Sequence, residues 1–173
     1  METLKKVGVV GAGMMGAEIA LCFARSGYDV VMKETSLALA QKGKDRLGGV
    51  LDKAIKKGTF QAEDKEATLS RITPTEDNDD FKDADLVIEA VFEDEKIKKE
   101  VFAQLDNICK PGCVFATNTS SISITRLATS VKPERIGRFL GAHFFSPASV
   151  MKLVEVIPGL ETDEESVTFM LDC

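Results

Sequence analysis

Lys6-Val7-Gly8-Val9-Val10-Gly11-Ala12-Gly13-Met14-Met15-Gly16 is the stretch whose reading decides the fold. A short apolar strand over Lys6–Val10 runs into a Gly-x-Gly-x-x-Gly turn, and a helix is predicted over Met14–Arg25. In such a turn Gly11 allows the tight bend, Gly13 lets the backbone approach a pyrophosphate, and Gly16 lets helix and strand pack closely. The helix N-terminus then offers unpaired N–H groups and the positive end of its dipole to phosphate. Alone, the turn is a weak signal, and a purely structural glycine turn is its alternative. Its context is what strengthens it: a strand before, a helix after, and Glu34 eighteen residues beyond Gly16, at the end of the next strand. A carboxylate there accepts hydrogen bonds from ribose hydroxyls and repels a 2′-phosphate, so NAD is favoured over NADP. Lys33 weakens that preference slightly, although strand alternation turns its side chain to the other face.

Outward from the turn, strand and helix alternate with no repeat and no low-complexity tract. The first helix is apolar on nearly every face (Met14, Met15, Ile19, Leu21, Phe23), as expected of a helix packed on a sheet, and Gly27 is placed to end it in a left-handed conformation. Residues 28–33 form the second strand, 37–57 a long charged helix, 63–69 a second helical piece and 72–73 a short strand before Pro74. Residues 85–90 read as a buried strand and 96–108 as a helix with Ile97, Val101, Leu105 and Ile108 on one stripe. Lys110-Pro111-Gly112 turns the chain into the strand Val114–Thr117. A short helix over Ile124–Ala128 and strands over Phe139–Phe144 and 153–157 follow. This alternation predicts an α/β, Rossmann-type doubly wound, mostly parallel sheet with helices on both faces, its ligand lying beyond the carboxyl ends of the strands. Thr162-Asp163-Glu164-Glu165 reads as a capping box opening one more helix, which has run only to Cys173. The expectation is one dinucleotide-binding domain over 1–173, truncated within that helix and lacking a domain that follows it.

Bulk composition narrows the partners. The 173 residues suit one domain with a proper core, and 44% hydrophobic with 29% charged residues is a soluble globular profile. A net charge of −6 argues against nucleic acid, whose phosphate backbone needs a basic surface. It leaves room for a small anionic ligand in a locally positive pocket. Cys22, Cys109, Cys113 and Cys173 form no Cys-x-x-Cys pair and there is one histidine, so no metal site is expected. A reduced, cytoplasmic compartment fits those cysteines. Lys5-Lys6 before the uncharged run 7–17 superficially resembles a signal peptide. Its four glycines suit a phosphate loop better, and it is too short to span a bilayer, so neither a targeting segment nor a membrane partner is expected.

His143, in Gly-Ala-His-Phe-Phe-Ser-Pro, follows an apolar strand, and a lone histidine there is more often structural than catalytic. Glu155, twelve residues later, lies inside the apolar run Leu-Val-Glu-Val-Ile. A carboxylate in a buried strand needs a partner, and His143 is a natural one; a strand-edge residue facing water is the alternative. A His–Glu pair fixes the imidazole tautomer, as a general base requires. Asn118-Thr119-Ser120-Ser121 follow a strand whose carboxyl end should meet a ligand, though turn and cap chemistry explains these residue types equally well.

Four ordered motifs together resemble one family. They are Val7–Gly16, Asp-Leu-Val-Ile-Glu-Ala-Val-Phe-Glu-Asp over 85–94, Thr-Asn-Thr-Ser-Ser-Ile-Ser-Ile over 117–124, and His-Phe-Phe-Ser-Pro with Met-Lys-Leu-Val-Glu-Val over 143–156. Over essentially its whole length the chain resembles the NAD-binding domain of the L-3-hydroxyacyl-CoA dehydrogenases, both monofunctional and within multifunctional fatty-acid oxidation proteins. The resemblance implies oxidation of a (3S)-hydroxyacyl-CoA to a 3-ketoacyl-CoA, with NAD as hydride acceptor. It implies that His143 takes the 3-hydroxyl proton, that Glu155 orients His143 and stabilises its protonated form, and that Ser120 contacts both substrate oxygen and cofactor. Glu34 matches the ribose-binding acid, and Glu93, Lys98 and Ser146 match positions lining the cofactor site. The cofactor-binding set also takes in Ala90 and Asn118, with Gly11, Ala12, Gly13, Met14, Met15 and Gly16 of the turn. Lys57 matches a lysine on the CoA phosphates; a solvated helix face is the alternative for both Lys57 and Lys98.

Two departures accompany the resemblance. Ser146 stands where many members carry asparagine, and it should still hydrogen-bond. The family's further catalytic asparagine, most of its acyl pocket and its homodimer interface lie in a helical C-terminal domain outside this sequence, so the isolated chain is expected to bind NAD and to turn over weakly or not at all. The competing readings are a sister dehydrogenase of the same fold acting on a hydroxy acid or sugar acid, and a non-catalytic NAD-binding module.

Overall fold

In the computed structural model, which describes residues 4–173, the predicted alternation closes into one seven-stranded sheet. The chain order is β1 (Lys6–Val10), α1 (Met14–Arg25), β2 (Asp29–Lys33), α2 (Leu37–Lys56), α3 (Lys65–Ser70) and β3 (Ile72–Thr75). It continues through β4 (Leu86–Glu89), α4 (Glu95–Asp106), β5 (Val114–Thr117), α5 (Ile124–Ala128) and α6 (Pro133–Ile136) to β6 (Phe139–Phe144), β7 (Val154–Pro158) and α7 (Glu164–Leu171). Across the sheet the strands lie β3-β2-β1-β4-β5-β6-β7, and every pair is parallel except β6 with β7. The chain builds outward from β1 on one side and then returns to build β4 on the other. That reversal opens a crevice beyond the carboxyl ends of β1 and β4, where ligands of such sheets bind.

The strands are apolar because both faces are covered. Along β4, Leu86 and Ile88 pack with Ile19 of α1 and Leu47 of α2, while Val87 packs on the opposite face with Phe102 of α4 and Leu127 of α5. Strands buried on both faces read as continuous apolar runs, as Asp-Leu-Val-Ile does. Gly27 ends α1 region at φ 93°, the left-handed conformation its position predicts.

Four details differ from expectation. The buried stripe of α4 is Lys98, Phe102 and Leu105, whereas Ile97 is 40% exposed. Two attractions rotate the helix: Glu89 draws Lys98 inward to 2.7 Å, and Phe102 seats against Phe115 and Phe139 with ring centroids 5.6 and 4.6 Å away. Met14 is exposed, not packed on the sheet. The cap of α7 is Asp163, which accepts from Ser166 N at 2.6 Å. Thr162 cannot serve as that cap, because its Oγ1 accepts from Gly159 N and donates to Phe139 O. Finally, β7 is a largely exposed edge strand and not a buried one.

At the amino ends of the strands the polar groups are held by the chain itself. Asp85 accepts from Lys5 N, Lys6 N and Lys110 Nζ at 2.8, 2.9 and 2.5 Å. The buried Arg135 pairs with the buried Asp106, donates to the carbonyls of Cys109, Lys110 and Cys113 at 2.8–3.1 Å, and lies 4.6 Å over the Phe115 ring. Among the described residues no helix is long and apolar enough to cross a membrane, and no cluster of three or more His, Cys, Asp or Glu could hold a metal ion.

Candidate active site

The glycine turn sits at the crevice between β1 and β4. Gly11 N donates to Lys33 O and Ala90 N donates to Val10 O, at 2.9 and 2.8 Å, so the end of β1 is tied to both neighbours. Gly11 has φ 98°, and a Cβ there would stand 2.6 Å from Ala90 O; a Cβ on Gly16 would strike the Gly11 carbonyl. Only glycine fits either position. Gly13 is different: nothing lies within 4 Å of where its Cβ would be, so this face of the turn opens outward. The N-terminus of α1 also carries no side-chain cap. By contrast Ser36, Asp94 and Asp163 cap α2, α4 and α7 with their own oxygens. The first turn of α1 therefore keeps its N–H groups for a partner outside the chain. Arg46 of α2 braces the turn by donating from Nη2 to Ala12 O at 2.6 Å.

Glu34 follows β2 directly and is half-buried, its N donating to Thr75 O and its Oε2 accepting from Thr35 N at 2.7 Å. It stands beside the glycine turn, because β2 pairs β1 in register up to Val10 opposite Lys33.

Beyond β4 and β5 a polar network gathers. Glu89, fully buried at the end of β4, accepts from Lys98 Nζ, Val91 N and Thr117 Oγ1, each at 2.7 Å. Lys98 reaches onward to Glu93 at 3.3 Å. Glu93 Oε1 accepts from Thr119 Oγ1, from Ser120 N at 3.2 Å and from Ser121 Oγ at 3.0 Å. Burial pushes the Glu93 carboxyl up, but the Thr119 hydroxyl and the Lys98 ammonium outweigh it and hold the group below the usual carboxylate range. Ser120 is exposed, and among the described residues its hydroxyl has no hydrogen-bond partner. Asn118 joins the next strand, its Oδ1 accepting from Phe144 N at 2.8 Å.

His143 and Glu155 meet across the antiparallel pair β6/β7, where they are register partners. Nδ1 and Oε2 are 2.8 Å apart, which leaves the imidazole Nε2 for another partner. Glu155 is 51% exposed, so the pairing follows from strand register and not from the burial that its apolar neighbours suggested. The loop between β6 and β7 folds back along α1: Ser149 donates from N and Oγ to Glu18, and Arg25 donates to Ser149 O at 3.5 Å.

The structure thus gathers the glycine turn, Ala90, Glu34, Glu93, Lys98, Asn118, Ser120, His143 and Glu155 at the carboxyl ends of adjacent strands. Ser146 is exposed in the loop after His143 and, among the described residues, makes no hydrogen bond with them. Lys57 is not gathered: it is exposed at the far end of the 20-residue α2, about 30 Å along the helix from Ser36. Glu89, Thr117 and Arg46 carry no role in the sequence pattern, where Thr119 figures only within the polar run 118–121. The one signal for Glu89 is a charged residue closing an otherwise apolar strand.

An uncapped helix start, an outward-facing Gly13 and a ribose-height carboxylate fit a dinucleotide diphosphate. Comparison with known proteins agrees. Residues 6–173 match the family model described as 3-hydroxyacyl-CoA dehydrogenase, NAD binding domain. The 3-hydroxybutyryl-CoA dehydrogenase of Bradyrhizobium diazoefficiens is 44% identical over 161 residues, covering 93% of this chain and 54% of that protein. The glyoxysomal fatty acid beta-oxidation multifunctional protein of Cucumis sativus is 38% identical over 169 residues, 98% of this chain and 23% of that protein. The crystal structure of (S)-3-hydroxybutyryl-CoA dehydrogenase from Ralstonia eutropha superposes with a TM-score of 0.94 at 42% identity, covering 98% of this chain and 59% of that one. The chain spans little more than half the length of these dehydrogenases.

Proposed function

The chain belongs to the 3-hydroxyacyl-CoA dehydrogenase family as its NAD-binding domain, and from that premise we propose that it is the cofactor-binding half of an enzyme oxidising (3S)-hydroxyacyl-CoA to 3-ketoacyl-CoA. The observation that carries this reading is the His143–Glu155 pair at 2.8 Å, beside the exposed hydroxyl-bearing segment 118–121. A protein that only held the dinucleotide would need no such base.

NAD, when bound, supplies the acceptor for the hydride that leaves C3 of the substrate. The open face of Gly13 and the N–H groups of Met14, Met15 and Gly16 receive its diphosphate, with Gly11 and Ala12 shaping the turn. Glu34 accepts the adenosine ribose hydroxyls. Ala90, Glu93, Lys98, Asn118, Ser120 and Ser146 line the nicotinamide half. His143 accepts the 3-hydroxyl proton at Nε2, while Glu155 holds Nδ1–H and balances the positive charge that forms on the ring. Ser120 donates its hydroxyl to the substrate oxygen.

Lys57 is assigned to the phosphates of CoA. The loop after β6 lies along α1 as far as Arg25, whose guanidinium sits 5.1 Å over Phe60, three residues from Lys57. This surface supports a path for the long thioester from His143 along α1. The acyl pocket and a homodimer contact are assigned to chain outside these residues, and the whole enzyme to the cytoplasm, where the four free thiols would stay reduced.

The test is oxidation of NADH by acetoacetyl-CoA with the full-length protein. His143→Ala in that protein should lower kcat by roughly 10²- to 10⁴-fold, the range for a lost general base, with NADH affinity unchanged. Absence of thioester-dependent turnover in the unaltered protein would overturn the reading, as would full activity in the variant.

A further inference from the structure

The network beyond β4 and β5 is unbalanced in charge. Lys98 is one ammonium shared by two carboxylates, Glu89 at 2.7 Å and Glu93 at 3.3 Å. The Glu89–Lys98 pair is closed, with side chains 0% and 1% exposed, so each largely cancels the other. Glu93 is 41% exposed and is the carboxylate left over. On the edge strand, Glu155 adds a second, since its partner is a histidine, whereas Glu95 is answered by Lys99 at 2.9 Å and Arg126 at 2.6 Å. The charged side chains that the network and the His–Glu pair bring to the carboxyl ends of β4, β5 and β6 are Glu89, Glu93, Glu155 and Lys98. Their sum is negative.

The two redox forms of the cofactor differ at one place. The nicotinamide ring bears a formal positive charge in NAD⁺ and none in NADH. An uncompensated carboxylate near that ring attracts the first form and leaves the second nearly indifferent. Resting on the placement of the nicotinamide half proposed above, we propose that Glu93 selects the oxidation state of the cofactor: its negative charge, fixed by Thr119, Ser120, Ser121 and Lys98, tightens NAD⁺ relative to NADH, which lowers the potential of the bound couple and favours exchange of the reduced form for the oxidised one. The hydrogen bonds from Thr119 and the charge on Lys98 also keep Glu93 ionised against the effect of burial. Thr119 is buried and Lys98 is 1% exposed, so the carboxylate is held by buried groups while much of it stays open to a ligand.

The discriminating quantity is the ratio of dissociation constants for NAD⁺ and NADH, measured by calorimetric titration of the full-length protein. Glu93→Gln keeps an oxygen that accepts from Thr119, Ser120 and Ser121 but removes the charge. It should raise Kd for NAD⁺ about five- to tenfold more than Kd for NADH, the scale of a close charge pair partly screened by water. A tenfold change in that ratio raises the potential of the bound two-electron couple by about 30 mV. Glu93→Ala should shift the ratio the same way, and Glu93→Asp, which keeps the charge, should leave it near the unaltered value. Equal weakening of both forms in the two neutral variants would overturn the inference while leaving the dinucleotide site standing. Failure of the unaltered protein to bind either form would overturn both.

Discussion

The two rims of the sheet use the same residue types for opposite ends. At the amino rim, Asp85, Lys110, Asp106 and Arg135 spend their charges on one another and on backbone groups, and Arg135 alone serves Asp106 and three carbonyls. At the carboxyl rim, Glu93, Ser120, His143 and the start of α1 are each satisfied on one side only. Glu93 is gripped by its neighbours, His143 uses one ring nitrogen, and α1 begins without a cap. Polar groups that a chain satisfies by itself hold a fold together; those it leaves half-satisfied, at the crevice where strand order reverses, are available to a ligand.

Substitutions at the two rims should therefore separate stability from binding. The largest effect is expected from Arg135→Ala, which removes the counter-charge of the buried Asp106, leaving it Lys132 N at 2.8 Å, and takes a donor from three carbonyls. It should cost about 3–5 kcal/mol in urea unfolding, the usual penalty for breaking a buried ion pair from one side. A cost below about 1 kcal/mol would erase the contrast. Gly13→Ala is the converse: a Cβ there meets nothing in the chain within 4 Å, so Tm should stay within a degree or two, while Kd for NAD⁺ rises about tenfold, or about 1.4 kcal/mol, because the cradle is filled. Asp85→Asn should be smaller, about 1–2 kcal/mol at neutral pH, with NADH affinity unchanged.

The Asp85 effect also has a pH signature. Burial pushes this carboxyl up, but Lys110 and the N–H groups of Lys6 and Lys5 together pull it below its ordinary value. A depressed folded-state pKa adds stability above the unfolded-state value, near 3.9, and that increment is lost as pH falls through the folded one. Urea midpoints of the parent and Asp85→Asn should therefore differ at neutral pH and converge below about pH 4. Parallel curves down to acid pH would mean that Asp85 acts by shape and not by charge.

The central half of the fold is legible in the sequence because local signals agree there: apolar runs, glycines with fixed geometric duties, and an acid at the next strand end. Gly11, Gly16 and Glu34 could be placed from spacing alone. His143 and Glu155 could be paired, yet through a burial argument that β7 does not satisfy; the true cause is a long-range antiparallel register. Lys98 looked like a solvated helix residue because helix periodicity cannot see Glu89 nine residues away on a strand. Arg46 and Thr117 escape notice for the same reason: each acts through a contact more than twenty residues distant. What propensity and period encode is local, and what remained hidden is side-chain pairing between elements.

The opposition of His143 and Glu155 across β6 and β7 also sets which changes of length the molecule can absorb. Residues added between the two strands need only enlarge a surface loop, whose closure costs little more as it grows. A slip of the pairing by a single residue would instead set Val154 or Val156 opposite the histidine and turn the carboxylate to the far face of the sheet. Insertions are thus absorbed before Val154, whereas beyond it any slip of register parts His143 from Glu155.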